Sequence, residues 1–268
     1  MSAKVKKLAD HAKKNKIKSV INGFKLIEIE PLTDNQEKAF DYWEDNYNLV
    51  LRGSAGTGKT FLACFLAMSE FDYNDNLEQV VIIRSAVPSR DLGFMGGKRE
   101  RDKIKEYERT YIRIFSHLYE RNDAFNQLFQ RQIVKFISTS FLRGDEFANA
   151  IVIVDEFQNM NDHELNTILT RIGDNCRLIL CGDELQCDFT RRHEDLPCSN
   201  ILNILETMTS VKTVNFTVSD IVRSGFCREY LIARQNYFLY KDHGPNTTRA
   251  NHQVPQMPIR YGQAESCT

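Results

Sequence analysis

One segment, residues 49–67, constrains the fold of this chain more than the rest of the sequence. It begins and ends with apolar residues, and between them lie Gly53-Ser54-Ala55-Gly56-Thr57-Gly58-Lys59-Thr60. The three glycines allow a tight turn whose backbone amides point inward and bind phosphate oxygens. Lys59 can reach the β- and γ-phosphates of a nucleotide, and the Thr60 hydroxyl suits a Mg²⁺ ligand at the positive end of the following helix. The segment therefore predicts a phosphate-binding loop (P-loop) between a strand and a helix, with a nucleotide and Mg²⁺ as ligands.

The composition is that of an ordinary soluble globular protein. Of the 268 residues, 42% are hydrophobic, and the net charge is −1. No apolar run approaches the ~20 residues that span a bilayer, and the lysine-rich start does not resemble a signal peptide. The seven cysteines are an odd number and are scattered along the chain, which is typical of reduced thiols. We therefore expect a cytoplasmic protein that makes no membrane contact.

Three segments of the chain differ in composition. Residues 1–30 form a basic leader, with seven lysines against one acid between residues 4 and 18. Residues 31–241 carry the apolar patterns of a folded P-loop domain. Residues 242–268 contain few apolar side chains and are expected to be a disordered tail. One domain is expected, since the chain has no room for a second of the same size.

The apolar patterns predict strands and helices in alternation. Besides the strand before the P-loop and the helix after it, strands are predicted at 24–29, 79–84, 133–137, 150–154, 177–181 and 211–218. Helices are predicted at 3–18, from Thr33 or Asp34 onward, at 99–130 (with Tyr111 and Phe115 among its apolar positions), 161–172, 198–208 and 219–240. Such alternation predicts an α/β fold of three layers around a mostly parallel sheet.

Two acids follow the apolar strand at 150–154, in the order Val152-Ile153-Val154-Asp155-Glu156. This order has the form of a Walker B element, in which Asp155 holds Mg²⁺ through water and Glu156 polarises the attacking water. Any strand that ends at the surface can finish in acids, which is the alternative. Because the pair lies about 95 residues after the P-loop, we favour the metal site.

A third polar cluster, Gly182-Asp183-Glu184-Leu185-Gln186, follows the strand at 177–181. Gln186 or Asp183 is a candidate sensor of the γ-phosphate, and the alternative is a turn chosen for backbone geometry. Ligands of open α/β sheets bind beyond the carboxyl ends of the strands. A phosphate loop, a metal acid, a water-activating acid and a sensor at one edge predict a nucleoside triphosphatase.

Taken together, these motifs resemble the PhoH family, phosphate-starvation-inducible ATPases related to superfamily-one helicases. The resemblance covers about residues 33–240 and includes Val154-Asp155-Glu156-Phe157-Gln158-Asn159. Its more specific phrases are Arg84-Ser85-Ala86-Val87-Pro88, Leu92-Gly93-Phe94-Met95-Gly96-Gly97, Phe141-Leu142-Arg143-Gly144, Gly182-Asp183-Glu184-Leu185-Gln186-Cys187-Asp188 and Asp220-Ile221-Val222-Arg223. The resemblance implies a P-loop NTPase with a RecA-like core, ATP hydrolysis with Mg²⁺, and a link to unwinding of RNA or DNA, in a bacterial or phage-infected cytoplasm.

The chain departs from the family pattern at two places. Phe157 stands where many members carry alanine, and the segment after Gly97 is rich in Arg and Lys where the family has a proline-marked stretch. Neither place takes part in binding or cleaving phosphate. Both departures therefore bear on which substrate the chain prefers.

Gln36 lies ahead of the P-loop, in Leu32-Thr33-Asp34-Asn35-Gln36-Glu37-Lys38-Ala39, a phrase that resembles the helicase glutamine motif. The resemblance implies contact with adenine, since a side-chain amide supplies both the donor and the acceptor that adenine requires. The alternative is an exposed helix residue.

Hydrolysis also needs positive charge beside the γ-phosphate, and an arginine finger is worth roughly 10³–10⁵ in rate. Two-domain helicases bring this arginine from a second core, whereas this chain is expected to have one. We therefore expect an arginine of a neighbouring subunit to complete the site, with Arg223 first and Arg84 or Arg143 behind it, in a ring that is most simply a hexamer. The alternative for Arg223 is a residue at a helix start that pairs with Asp220.

Nucleic-acid contact is expected first after the strand at 79–84, where helicase relatives track a single strand. The candidate residues there are Arg84, Ser85 and Arg90, and Arg143 belongs to the same group. The leading function is thus an oligomeric ATPase that acts on RNA or single-stranded DNA.

Two other functions fit the same P-loop. An ATP-dependent switch or assembly factor for a protein partner is the main alternative. A small-molecule kinase is disfavoured, since a glutamate directly after the metal acid would activate water and waste ATP.

Overall fold

A computed structural model of the chain describes residues 23–85, 100–139, 142, 146–183 and 198–242. Six strands form its centre: β1 (Asn48–Gly53), β2 (Gln79–Arg84), β3 (Val134–Ser138), β4 (Ala150–Asp155), β5 (Arg177–Gly182) and β6 (Val211–Phe216). They form one sheet in the order β3-β2-β4-β5-β1-β6, and every neighbouring pair is parallel. All six strands therefore end at the same edge.

Helices connect the strands. They are α1 (Asp34–Glu44), α2 (Lys59–Tyr73), α3 (Glu100–Leu118), α4 (Ala124–Gln130), α5 (Asp162–Leu169), α6 (Ser199–Thr207) and α7 (Gly225–Asp242). Two short 3₁₀ turns, Phe157–Asn159 and Val218–Asp220, follow β4 and β6. None of the helices in the described ranges is long and apolar enough to cross a bilayer.

Each face of the sheet packs against helices and forms a separate apolar cluster. In β4, Ile151 and Ile153 point to the cluster shared with α1 to α4, whereas Val152 and Val154 point to the cluster shared with α5 and α6. All six residues of β4 are buried, as the unbroken apolar run predicts for a strand covered on both faces. The three-layer α/β fold with a parallel sheet is thus confirmed.

The strand predicted at 24–29 is wrong. Residues 24–30 have no regular secondary structure, and Ile27 N donates a backbone hydrogen bond to Leu118 O at 2.9 Å. The consecutive residues Leu26 and Ile27 both pack against the α1 to α4 cluster. A strand would point them to opposite faces, so the apolar content of this segment reflects packing of an irregular chain.

The helix predicted at 219–240 is also wrong at its start. Residues 218–220 form a 3₁₀ turn capped by Thr217, and α7 begins only at Gly225. Gly225 has φ +59°, outside the right-handed helical region, so the chain changes direction before α7. The helix predicted at 161–172 ends at Leu169. The helix predicted at 3–18 and nearly all of the tail predicted at 242–268 lie outside the described residues.

Candidate active site

The P-loop connects the end of β1 to the start of α2, as predicted. Gly53 has φ +119°, and a Cβ added there would lie 1.9 Å from the carbonyl oxygen of Phe216. Only glycine suits position 53, for two reasons. Other residues rarely adopt this backbone angle, and any side chain there would collide with β6. Gly58 caps α2 in the left-handed conformation, and Lys59 and Thr60 open the helix. The backbone amides at this helix start favour an anion.

Lys59 is held inside the loop by carbonyl groups. Its Nζ donates to Gly53 O and Ser54 O, both at 2.7 Å, and lies 3.4 Å from the hydroxyl of the fully buried Thr57. Burial lowers the pKa of Lys59, and nearby acids, Asp183 first, act against that shift. The ammonium group is thus bound by carbonyl oxygens of the loop, which phosphate oxygens can replace as its partners.

Asp155 ends β4 and is 2% exposed. Its Oδ1 accepts a hydrogen bond from Thr60 Oγ1 at 2.9 Å, which joins the two predicted metal ligands across 95 residues of sequence. Both donors are hard oxygens of the kind that Mg²⁺ prefers, and Mg²⁺ completes its shell with water and substrate phosphates. The described residues contain no cluster of three His, Cys, Asp or Glu side chains that could hold a metal without such help. Thr60 and Asp155 therefore fit a nucleotide-bound Mg²⁺.

Two further side chains contact the same carboxylate. Tyr111 of α3 donates from its hydroxyl to Asp155 Oδ2 at 2.7 Å, and Arg84 Nη1 lies 3.9 Å from that oxygen. Burial raises the pKa of Tyr111 well above its ordinary value, and the charge of Asp155 adds to this, so the phenol stays a donor. Arg84, a candidate nucleic-acid contact and arginine finger, thus lies beside Asp155, the candidate metal ligand of its own chain.

Glu156 follows Asp155 in the left-handed region, with φ 55° and ψ 44°. Its Oε2 accepts from Gln158 Nε2 at 2.5 Å, and Gln158 Oε1 accepts from Asp183 N at 3.0 Å. Burial raises the pKa of Glu156, with a second contribution from Asp155. A raised pKa brings a carboxylate closer to the range in which a general base works best.

Gln36 reaches the P-loop from α1. Thr33 caps α1 by accepting from Gln36 N at 3.3 Å, as one of the two predicted caps. The Gln36 side chain accepts from Leu32 N at 2.8 Å and donates from Nε2 to Thr57 O at 3.1 Å. An amide group has a second N–H, so the contact with Thr57 leaves one donor for a ligand.

The segment before α7 covers the outer side of the P-loop. Val222 N donates to Gly56 O at 3.1 Å, and a Cβ added at Gly56 would lie 3.1 Å from Arg223 Cγ. Asp220 accepts from Asn35 Nδ2 and from Thr217 N, both at 2.8 Å. The pairing of Arg223 with Asp220 at a helix start is therefore wrong: Arg223 precedes α7 and lies against its own P-loop.

The remaining predicted residues lie partly inside and partly outside the described ranges. Ser85, a candidate nucleic-acid contact, is 8% exposed at the end of β2. Gln186, Arg90 and Arg143 lie outside the described residues. Ala55, a predicted nucleotide-binding residue, lies in the turn between Ser54 and Gly56.

Sequence reasoning missed two residues, Tyr111 and Gln158. Tyr111 was placed among the apolar positions of a helix, and its spacing gave no sign that its hydroxyl meets Asp155. Gln158 belongs to the phrase Val154-Asp155-Glu156-Phe157-Gln158-Asn159, which gives it no separate role. Only the structure shows that this polar side chain is 1% exposed.

The residues gathered at this edge are of the kinds that a phosphoryl-transfer site requires. They are a glycine-rich loop with Lys59, two candidate metal ligands in Thr60 and Asp155, and the Glu156 carboxylate, which accepts a hydrogen bond from Gln158. Phosphoryl transfer depends mainly on such positioning and on charge neutralisation.

Comparisons with known proteins agree with the motifs. A model of the family described as "PhoH-like protein" matches residues 28–234. Protein PhoH of Escherichia coli (strain K12) is 31% identical over 198 residues, which cover 71% of this chain and 53% of that protein. A PhoH-like protein of Mycobacterium leprae is 27% identical over 225 residues, which cover 83% and 62%. The chain thus spans between half and two thirds of the length of these relatives.

Solved structures resemble this one remotely. The Pif1 helicase of Candida albicans is 20% identical, with a TM-score of 0.35 over 70% of this chain and 41% of that chain. The large terminase of a thermophilic bacteriophage is 13% identical, with a TM-score of 0.45 over 76% and 50%. Neither likeness bears on the activity. The family match covers more than half of the chain and includes every motif around the P-loop. This chain therefore belongs to the PhoH-like protein family.

Proposed function

We propose that this protein binds ATP with Mg²⁺ at the P-loop edge of its sheet and hydrolyses it. The observation that carries the proposal is the hydrogen bond between Thr60 and Asp155, with Glu156 next in sequence. This contact joins the start of the phosphate-binding helix to the acid at the end of β4. When bound there, Mg²⁺ supplies positive charge to the β- and γ-phosphates.

Each residue then has one task. Lys59 exchanges the carbonyl groups of Gly53 and Ser54 for phosphate oxygens. Glu156 accepts a proton from the attacking water while its carboxylate is held by Gln158. Gln36, through its second amide N–H, contacts adenine. Gln186 or Asp183 senses the γ-phosphate after β5.

Release of phosphate from ATP tests this activity. Wild-type protein should release phosphate from ATP in the presence of Mg²⁺ and without any phosphate acceptor. Lys59→Ala should abolish binding or turnover, whereas Lys25→Ala, which removes an exposed lysine outside the motifs, should turn over as wild type. Transfer of phosphate to an added metabolite, with no release to water, would instead indicate a kinase.

The active form that we propose is a homo-oligomeric ring, most simply a hexamer. In this form an arginine of a neighbouring subunit completes the site beside the γ-phosphate. Exposed aromatic side chains on α7 support the assembly: Phe226 is 81% exposed and Tyr230 56%.

Mixing two inactive variants tests the source of the arginine. Arg223 lies against its own P-loop, so it can also act within one chain. If it acts between subunits, Lys59→Ala and Arg223→Ala proteins should regain part of the activity when mixed, because some sites receive both intact residues. If it acts within one chain, the mixture should stay inactive. The same experiment with Arg109→Ala in place of Arg223→Ala is the control.

The substrate that we propose is RNA or single-stranded DNA. Single-stranded RNA and DNA should each be tested for stimulation of ATP turnover. Binding that weakens steeply with salt would support contact with the phosphate backbone. If neither polymer binds at low salt nor changes the rate, the nucleic-acid proposal is wrong, and a switch for a protein partner becomes the better reading.

A further inference from the structure

Tyr111 lies next to Asp155, the candidate metal ligand, but belongs to none of the sequence motifs. The side chain is fully buried on α3, and its ring centroid is 5.3 Å from that of Phe136 on β3. Its hydroxyl donates to Asp155 Oδ2 at 2.7 Å. The other carboxylate oxygen, Oδ1, accepts from Thr60 at 2.9 Å. The two oxygens of one carboxylate therefore have different partners on two different helices.

We propose that Tyr111 is a positioning residue that fixes the Asp155 carboxylate for Mg²⁺. The terminal torsion of an aspartate is broad, so a carboxylate without fixed partners rotates easily. The buried hydroxyl of Tyr111 holds Oδ2 on the side of α3, and this leaves Oδ1 directed to Thr60, the other residue that would hold Mg²⁺. Tyr111 acts through Asp155 and does not contact the nucleotide.

Arg84 adds to this arrangement from the end of β2. Its Nη1 lies 3.9 Å from Asp155 Oδ2, so a cation and a neutral donor both face the same oxygen. A buried carboxylate needs such partners, because an unpaired charge inside a protein is costly. Both partners lie on Oδ2, and this asymmetry keeps Oδ1 available for the metal.

The alternative is that Tyr111 is an ordinary core tyrosine that needs an acceptor for its hydroxyl. Tyr119 offers a direct comparison. It is 3% exposed and lies one residue after α3, but its hydroxyl has no hydrogen-bond partner in the described part of the chain. Removing that hydroxyl changes a buried tyrosine of the same core without touching Asp155.

This inference rests on the proposed function, and one binding experiment separates the two. The affinity for the non-hydrolysable analogue AMP-PNP is measured by calorimetry with Mg²⁺ and with EDTA, for wild type, Tyr111→Phe and Tyr119→Phe. We expect wild type to bind more tightly with Mg²⁺. In Tyr111→Phe this gain should fall about tenfold, because a hydrogen bond to a charged group is lost, while the affinity in EDTA stays as in wild type.

The ratio of the two affinities is taken within one preparation, so a fraction of unfolded protein does not change it. Tyr119→Phe should keep the wild-type ratio. In an Asp155→Asn background, adding Tyr111→Phe should change the ratio by less than about twofold, since the carboxylate through which Tyr111 acts is gone.

Two results would overturn the inference while the proposed function stands. In one, Tyr111→Phe keeps the wild-type gain from Mg²⁺. In the other, it loses affinity equally with Mg²⁺ and with EDTA, as expected of a purely structural residue. If wild type itself fails to bind AMP-PNP, the proposed function fails and the inference fails with it.

Discussion

The side chain of Gln158 donates a hydrogen bond from Nε2 to Glu156 Oε2 at 2.5 Å. Its other end accepts from Asp183 N at 3.0 Å, at the carboxyl end of β5. Gln158 thus connects the candidate general base to the strand that carries the candidate γ-phosphate sensor. Because Gln158 is buried, both contacts are protected from water.

Removing this connection should lower turnover more than affinity. Gln158→Leu keeps the volume of the side chain but loses both hydrogen bonds, so the carboxylate of Glu156 is no longer held. We expect kcat to fall by about tenfold to a hundredfold, with nucleotide affinity within about twofold of wild type. Gln130→Leu, an exposed glutamine at the end of α4, is the matched control. An unchanged kcat in Gln158→Leu would show that Glu156 needs no such support.

Gly182 leaves room for this arrangement. A Cβ added there would lie 2.7 Å from both Gln158 Oε1 and Phe157 Cε1. Gly182→Ala should therefore lower the free energy of unfolding by about 1–3 kcal/mol, as measured by urea denaturation, and should also lower kcat of the folded protein.

Gly173→Ala is the control for this effect. A Cβ at Gly173 would lie 2.7 Å from Phe147 O, but Gly173 precedes β5 and thus lies at the opposite edge of the sheet. We expect Gly173→Ala to lower the free energy of unfolding in the same way as Gly182→Ala but to keep the wild-type kcat. Equal losses of kcat in both variants would trace the effect to stability alone.

Asp220 should make the stability depend on pH. Burial alone would raise the pKa of Asp220, but hydrogen bonds from Thr217 and Asn35 outweigh it and hold the pKa below its ordinary value of 3.8. A lowered folded-state pKa stabilises the protein above the unfolded-state pKa, and this stabilisation is lost as the pH falls through the folded-state value.

The free energies of unfolding of wild type and Asp220→Asn, measured by urea denaturation, should therefore differ by roughly 1 kcal/mol near neutral pH. This difference should not change with pH in that range. The difference should shrink as the pH falls below 3.8. A difference that stays constant down to the acid unfolding limit would show that the charge of Asp220 does not contribute.

The exposed aromatic residues of α7 should contribute to assembly. The rings of Phe226 and Tyr230 stack with centroids 6.4 Å apart, and both side chains are largely exposed. Replacing both with serine should shift the mass of the particle toward the monomer while the subunit stays folded. Phe129→Ser, at an exposed position of α4, should leave the mass unchanged. A wild-type protein that is a monomer at full activity would contradict the ring.

The sequence predicted most of the fold because the deciding signals are local. The P-loop phrase predicted β1, the turn and α2 together, and the apolar run before Asp155 predicted a strand buried on both faces. Parallel strands end at one edge, so the meeting of Asp155 with the P-loop followed from the fold class.

The failures involve contacts between distant parts of the chain. Tyr111 and Asp155 are 44 residues apart, and periodicity says which side of a helix is buried but not which strand it meets. The helix expected from residue 219 starts at Gly225 because Thr217 caps a short turn and Val222 bonds to the P-loop. The apolar side chains at 24–29 pack on the core without a neighbouring strand.

The measurement that tests the central claim most directly compares wild type with Glu156→Gln for binding and for turnover of Mg²⁺-ATP in the same preparation. Glu28→Gln, at an exposed position, is the control. Glu156→Gln should bind ATP as wild type does but hydrolyse it about 10²–10⁴-fold more slowly, because the general base is lost. If Glu156→Gln hydrolyses ATP at the wild-type rate, or if wild type neither binds nor hydrolyses ATP, the assignment of this edge of the sheet as an ATPase site is wrong.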